Sequence, residues 1–102
     1  MLELRPNCEL CDKDLPPASP EACICSYECT FCKTCVETIL KNVCPKCGGG
    51  FVARPIRPPT DHRPGVSLNH HPATTSRVHT KYRLDEITAF ANTIKDCNPE
   101  QR

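Results

Sequence analysis

Ten cysteines are spread over 102 residues, and nine of them fall between positions 8 and 47. Cys8-Glu9-Leu10-Cys11 and Cys44-Pro45-Lys46-Cys47 are CxxC pairs. Between them runs Cys25-Ser26-Tyr27-Glu28-Cys29-Thr30-Phe31-Cys32-Lys33-Thr34-Cys35, with four cysteines of its own. A CxxC turn suits a metal because its tight backbone aims two sulfurs at one point while its N–H groups donate back to them. Three such pairs and a fourth ligand couple within about forty residues point to two tetrahedral zinc sites.

Two tetrahedral sites need eight ligands, so one of the nine cysteines is spare. In one register Cys25 and Cys29 form a couple, Cys32 and Cys35 the next, and Cys23 is left over. In the other, Cys23/Cys25 and Cys29/Cys32 are the couples and Cys35 is left over. The first is preferred because it keeps a CxxC immediately ahead of a helical pattern.

That pattern is Val36-Glu37-Thr38-Ile39-Leu40-Lys41-Asn42-Val43, where Val36, Ile39, Leu40 and Val43 recur at helical spacing. Two turns are too few to be stable alone, so metal sites at its ends must hold it. The loop from Asp12 to Pro20 carries prolines that preclude a helix or central strand. Cys23 to Tyr27 has the residue types of a short strand leading into the ligand run. Pro45 presets the last knuckle, and Gly48-Gly49-Gly50 permit positive φ and close approach to sulfur.

Composition agrees that the metal carries stability. Apolar residues make up 38% of the chain, with no Trp and only two Tyr and three Phe, too little for a self-sufficient core. The start has no basic stretch followed by an apolar run, and no stretch reaches membrane-spanning length. A cytoplasmic setting is therefore expected, where thiols stay reduced and CxxC pairs bind metal.

Three segments follow: a two-zinc module over 1–52, a Pro/Arg-rich extended arm over 53–83, and a C-terminal amphipathic helix within 84–102. Arg54-Pro55-Ile56-Arg57-Pro58-Pro59 opens the arm in polyproline-like form. Leu84, Ile87, Ala91 and Ile94 form an apolar stripe that predicts a helix from about 85 to 97. Asp85 is its expected N-cap and Asn98-Pro99 its stop. The stripe must bury against the zinc module or a second copy of the chain. The net charge of +1 is segregated: residues 54–83 carry six Lys/Arg against one Asp, while both flanks are acidic. Four thiolates around one Zn²⁺ add a net −2 per site, so any nucleic-acid contact falls to the arm.

The run Glu28 to Val36 resembles the middle of a RING finger, with Cys29 in the histidine position. Cys8–Cys11 resembles the RING opening pair and Cys44–Cys47 its closing pair. RING ligands interleave, so the resemblance implies one zinc on Cys8, Cys11, Cys32 and Cys35. The second zinc falls to Cys25, Cys29, Cys44 and Cys47. The implied fold is a small zinc-stabilised α+β domain, a RING-like, treble-clef cross-brace. Asn7-Cys8-Glu9, Asp14-Leu15-Pro16, Ile24 to Cys32, Cys44 to Gly49 and Arg54-Pro55 are similar to a family of short bacterial cysteine-rich proteins of unknown function. Its pattern has no cysteine at the position of Cys23, which supports leaving Cys23 out.

Function is read from what these sites leave open. A tetrathiolate zinc has no position for water or substrate, and bound thiolates are spent as nucleophiles. Cys23 and Cys97 remain, and are read as inert thiols, so the chain is expected to be a non-enzymatic module that contacts another protein. A RING-type ubiquitin ligase would use Leu10, Ile39 or Leu40, and Pro45 to recruit its carrier enzyme. Gly48 and the absence of Trp count against that. Zinc storage is disfavoured by the apolar Val36–Val43 segment. Nucleic-acid binding would use Arg54, Arg57, Arg63, Arg77, Lys81 and Arg83, but only Tyr82 is there to stack on bases. A solvated arm, or one folded back on the anionic module, is preferred. His62, His70, His71 and His79 lack a ligand spacing and are read as solvated.

Overall fold

The computed structural model describes residues 1–102 as an α+β domain built on a three-stranded antiparallel sheet. Strand β1 is Ala22–Ile24, β2 is Thr30–Cys32 and β3 is Val52–Ala53, in the order β2-β1-β3. Cys23 pairs with Phe31 on one side and Ala53 on the other. The strand expected over 23–27 thus begins one residue earlier and stops at Ile24. Glu28 then enters the left-handed region at φ 67°, and its amide bonds Cys25 O at 3.0 Å to close the β1–β2 turn.

Strand β2 runs directly into α1, Lys33–Cys35, which continues as a π-helical turn, Val36–Leu40. The expected helix over Val36–Val43 is therefore displaced toward the N-terminus and wound differently. Lys41 and Asn42 both have positive φ, 52° and 59°, and stop it. The wider π turn still buries Val36 and Leu40. Val43 is also buried, outside the helix.

Phe31 lies in the core, 1% exposed, with its ring 5.5 Å from Phe51 in an edge-to-face arrangement. Twelve residues form the main buried cluster, and six of them are Cys8, Cys25, Cys29, Cys32, Cys35 and Cys44. With half its members thiols, this core cannot supply the stability that hydrocarbon side chains would.

Helix α2, Leu84–Ile94, begins one residue earlier and ends three residues sooner than the sequence pattern predicts. Arg83, not Asp85, is its N-cap. Glu86 reaches back to accept the Arg83 amide at 3.2 Å, and acidic residues in the first turn favour the helix dipole. Asn98-Pro99 starts a 3₁₀ turn, Pro99–Gln101, rather than ending α2. Ile87 and Ala91 are each only 2% exposed. They bury against the cysteine-rich module itself, because α2 packs on the π turn and Phe90 and Ile94 lie over Gly48.

No helix or strand occurs between residues 54 and 83, yet this arm is fastened along its length. Arg54 is 4% exposed and donates to Arg5 O at 2.8 Å, Leu15 O at 3.2 Å and Pro16 O at 3.1 Å. Arg57 donates to Leu2 O and His71 O. Thr74 N bonds Leu4 O and Thr80 N bonds Glu9 O. Arg77 bonds the Asp12 and Asp14 carboxylates. The arm thus folds back on the acidic half, one of the two preferred arrangements, and is not a freely solvated one. No helix is long and apolar enough to cross a membrane.

Candidate metal centres

Cys32–Cys35 runs on into the helical turn, whereas the first and last CxxC turns, Cys8–Cys11 and Cys44–Cys47, each end with a residue in the left-handed region, which reverses the chain. After Cys11 it is Asp12, φ 65°, whose amide bonds Cys8 O at 2.9 Å. After Cys47 it is Gly48, φ 77°, whose amide bonds Cys44 O at 2.7 Å. Glycine takes that conformation without penalty; at Asp12 the side chain is tethered by Asn7, Arg77 and His79. Backbone amides also turn to sulfur, Tyr27 N to Cys25 Sγ at 3.3 Å and Gly49 N to Cys47 Sγ at 3.4 Å.

The first set is complete. The sulfurs of Cys8, Cys11, Cys32 and Cys35 all lie within 4.8 Å of one another, and Cys11 Sγ is 3.7 Å from Cys32 Sγ. With Zn–S bonds of about 2.3 Å, a regular tetrahedron has S···S edges of about 3.8 Å. The donor set and its spacing therefore fit a metal ion. Strand β2 and α1 supply Cys32 and Cys35, and the N-terminal knuckle supplies the other two.

In the second set, the sulfurs of Cys25, Cys44 and Cys47 lie within 4.8 Å of one another. Cys29 is buried beside them and shares hydrogen bonding with Cys25 and Cys44, but its sulfur stands outside that distance for the group as a whole. The two sets interleave along the chain, with Cys32 and Cys35 in the first and Cys25 in the second. Cys23 is half-buried on β1, its Sγ turned to Glu21 O, and Cys97 is exposed beyond α2. Neither belongs to a set, and no histidine does. His79 Nε2 and His70 Nε2 instead face Asp12 and Asp61, each at 2.9 Å.

Crowding shapes the protonation of these thiols. Burial, then the neighbouring Cys32 and Cys8, pushes the Cys35 thiol well up. Cys44 is pushed up first by its hydrogen bond to Cys29 and then by burial, while that same bond brings Cys29 down to about 6. Cys35 and Cys44 therefore hold their protons more tightly than an ordinary thiol, and a cation would have to displace them.

Sequence reasoning missed Asn7 and Glu9, the polar groups that brace the first knuckle. Asn7 is fully buried and bonds Cys8 O and Asp12 Oδ1. Glu9, 5% exposed, joins Arg5 at 2.7 Å to the Thr30 amide of β2. Their only signal was position, one residue to either side of a ligand.

No solved structure matches the chain. An uncharacterized protein of Rhizobium meliloti (strain 1021) is 55% identical over 78 residues, which cover 76% of this chain and 86% of that protein. A family model described as a protein of unknown function (DUF1272) matches residues 1–57, the stretch that contains both cysteine sets and the buried Arg54. The chain belongs to that family.

Proposed function

We propose that this chain is a non-enzymatic protein-interaction module whose RING-like, treble-clef cross-brace is held by two structural zinc ions. One binds Cys8, Cys11, Cys32 and Cys35, the other Cys25, Cys29, Cys44 and Cys47. The observation that carries the reading is the first set of four sulfurs, all within 4.8 Å of one another and with one edge of 3.7 Å. An S₄ donor set suits zinc, and four protein ligands leave no position for a substrate.

The contact role is supported by what surrounds the last knuckle. Tyr27 is 64% exposed and Phe90 38%, and with Pro45 and Tyr82 they border the concavities around Lys46. Large aromatics left at a surface are favoured anchors for a protein partner. Ile87 and Ala91 of the α2 stripe are spent on the module, which leaves Leu84 and Phe90 as the helix's outward large apolar side chains for a second copy. A carrier-enzyme role is disfavoured, because Leu40 is fully buried and α2 packs on the π turn. The nucleic-acid reading is weakened by Arg54, Arg57 and Arg77, which are bonded within the chain.

Metal analysis of the full chain tests the first half, with two zinc ions per chain and loss of the fold on chelation expected. Fewer than two, or a fold that survives complete metal removal, would refute it. Capture experiments test the second half. A protein retained by the zinc-loaded chain, and lost with Tyr27→Ala or Phe90→Ala, is the expected result; two zincs with no captured protein would oppose it.

A further inference from the structure

The two sulfur sets differ in how they close, and the difference falls on one residue. Cys8, Cys11, Cys32 and Cys35 are all mutually close, whereas Cys25, Cys44 and Cys47 are so without Cys29. Cys29 also sits in a strained turn. It follows Glu28, a non-glycine residue at φ 67°, and closes its turn through a 3.2 Å bond from Cys25 N to Cys29 O. Positive φ at such a residue costs about 1–2 kcal/mol; Asp12 beside the first set shares it, but its side chain is tied by Asn7, Arg77 and His79, whereas that of Glu28 accepts a single bond from Glu3 N.

Cys29 also lines a cavity of about 330 Å³, between the first knuckle, the last knuckle and the arm's Val78–Tyr82 stretch. Phe31 and Tyr82 give it apolar walls. Arg5 and Glu9, both also on the lining, are paired with each other at 2.7 Å. Lys46 and Lys81 have no carboxylate partner among the ion pairs of the chain, and Lys81 Nζ lies 5.8 Å from the Tyr82 ring centroid. A concave site with apolar walls and two free ammonium groups suits a small anionic molecule.

We propose that the centre formed by Cys25, Cys29, Cys44 and Cys47 is an exchangeable zinc site. Cys29 is its detachable ligand, and the cavity admits small anionic thiols that take its place on the metal. In that exchange the bond from zinc to Cys29 Sγ breaks as one to the incoming sulfur forms. The proton of the incoming thiol passes to Cys29, so charge and ligand number are kept. The first centre has all four sulfurs in place and is the permanent one. This inference rests on the two-zinc reading above.

The test uses the zinc-loaded full chain and two alkylating probes, neutral iodoacetamide and anionic iodoacetate, with zinc release followed by a metal-sensitive dye. At a thiolate each probe forms an S–C bond as its C–I bond breaks and iodide leaves, and the resulting thioether no longer holds the metal. One zinc is expected to leave about tenfold faster than the other, with peptide mass spectrometry placing the accompanying label on Cys29. Labelling of Cys97 or Cys23 without zinc release is a built-in control. Iodoacetate should gain on iodoacetamide at Cys29, and lose that gain in a Lys46→Gln/Lys81→Gln variant that still holds two zincs. Cys29→His keeps a ligand at the position and should slow the first release about tenfold. Simultaneous loss of both zincs, first labelling within the other set, or an unchanged Cys29→His profile overturns the proposal. A chain that never binds two zincs fails the two-zinc reading instead.

Discussion

Asn7 and Val78 are bonded in both directions: Asn7 Nδ2 donates to Val78 O at 2.8 Å, and Val78 N donates to Asn7 Oδ1 at 3.2 Å. One fully buried amide thus imitates a strand partner for the arm while its neighbour Cys8 faces the metal set. Asn7→Ala removes both bonds and strands Val78. A loss of about 2–3 kcal/mol is expected, read by denaturant unfolding of the metal-loaded chain. Hydrogen exchange at the Val78 amide should rise with it; unchanged protection there would contradict the clasp.

Arg54 carries a buried cation whose two terminal nitrogens donate to three backbone carbonyls and to no carboxylate, while its buried Nε has no partner. Burial lowers its pKa, yet a guanidinium remains charged. Arg54→Ala would leave those carbonyls unsatisfied and open a cavity, at a cost of about 3–5 kcal/mol. Arg54→Lys should recover only part of the loss, since an ammonium cannot span the fork. Equal stability of the two variants by thermal melting would argue against the three-carbonyl geometry.

Acid should loosen the arm at Asp12. Its hydrogen bond to Arg77, reinforced by His79, holds the carboxyl below its ordinary value of 3.8. The folded state therefore binds this proton more weakly than the unfolded chain. The contribution is fully present above about pH 5 and is lost as pH falls below 3.8 through the lowered folded value. Asp12→Asn should flatten that part of the stability profile. The measurement is the pH dependence of unfolding for both chains; superimposable profiles below pH 4 would count against the pair.

Ile87 anchors α2 in the cysteine-rich core. Ile87→Ala should cost about 2–5 kcal/mol, with the chain remaining a monomer by sedimentation as its helix signal falls. If dilution of the wild type alone released α2, the helix would be held by a second copy instead.

The cysteine couples were legible because a metal reads spacing, and CxxC spacing is local. The RING resemblance supplied the interleaved pairing, and the structure brings the sulfurs of Cys8 and Cys11 to those of Cys32 and Cys35. The stripe of Ile87 and Ala91 was legible too, because helical burial leaves a periodic trace. The π turn was not: Val36, Ile39 and Leu40 suit either winding, and the choice follows from how Lys41 and Asn42 reverse the chain. The docking of the arm left only a charge imbalance to read. It is made by single side chains on distant carbonyls, as with Arg57 on Leu2 O, and such bonds have no period and no motif.

The clasp between Asn7 and Val78 also sets an order of assembly during synthesis. Its two halves are separated by 71 residues, so at about 5–20 residues per second Asn7 waits roughly 4–14 s for its partner to leave the ribosome. Cys32 and Cys35 emerge well before Val78. The nascent chain can therefore gather its first four sulfurs while the amide that will sit behind them is still wet. The four sulfurs of the first set can gather first, and the arm closes over them afterwards.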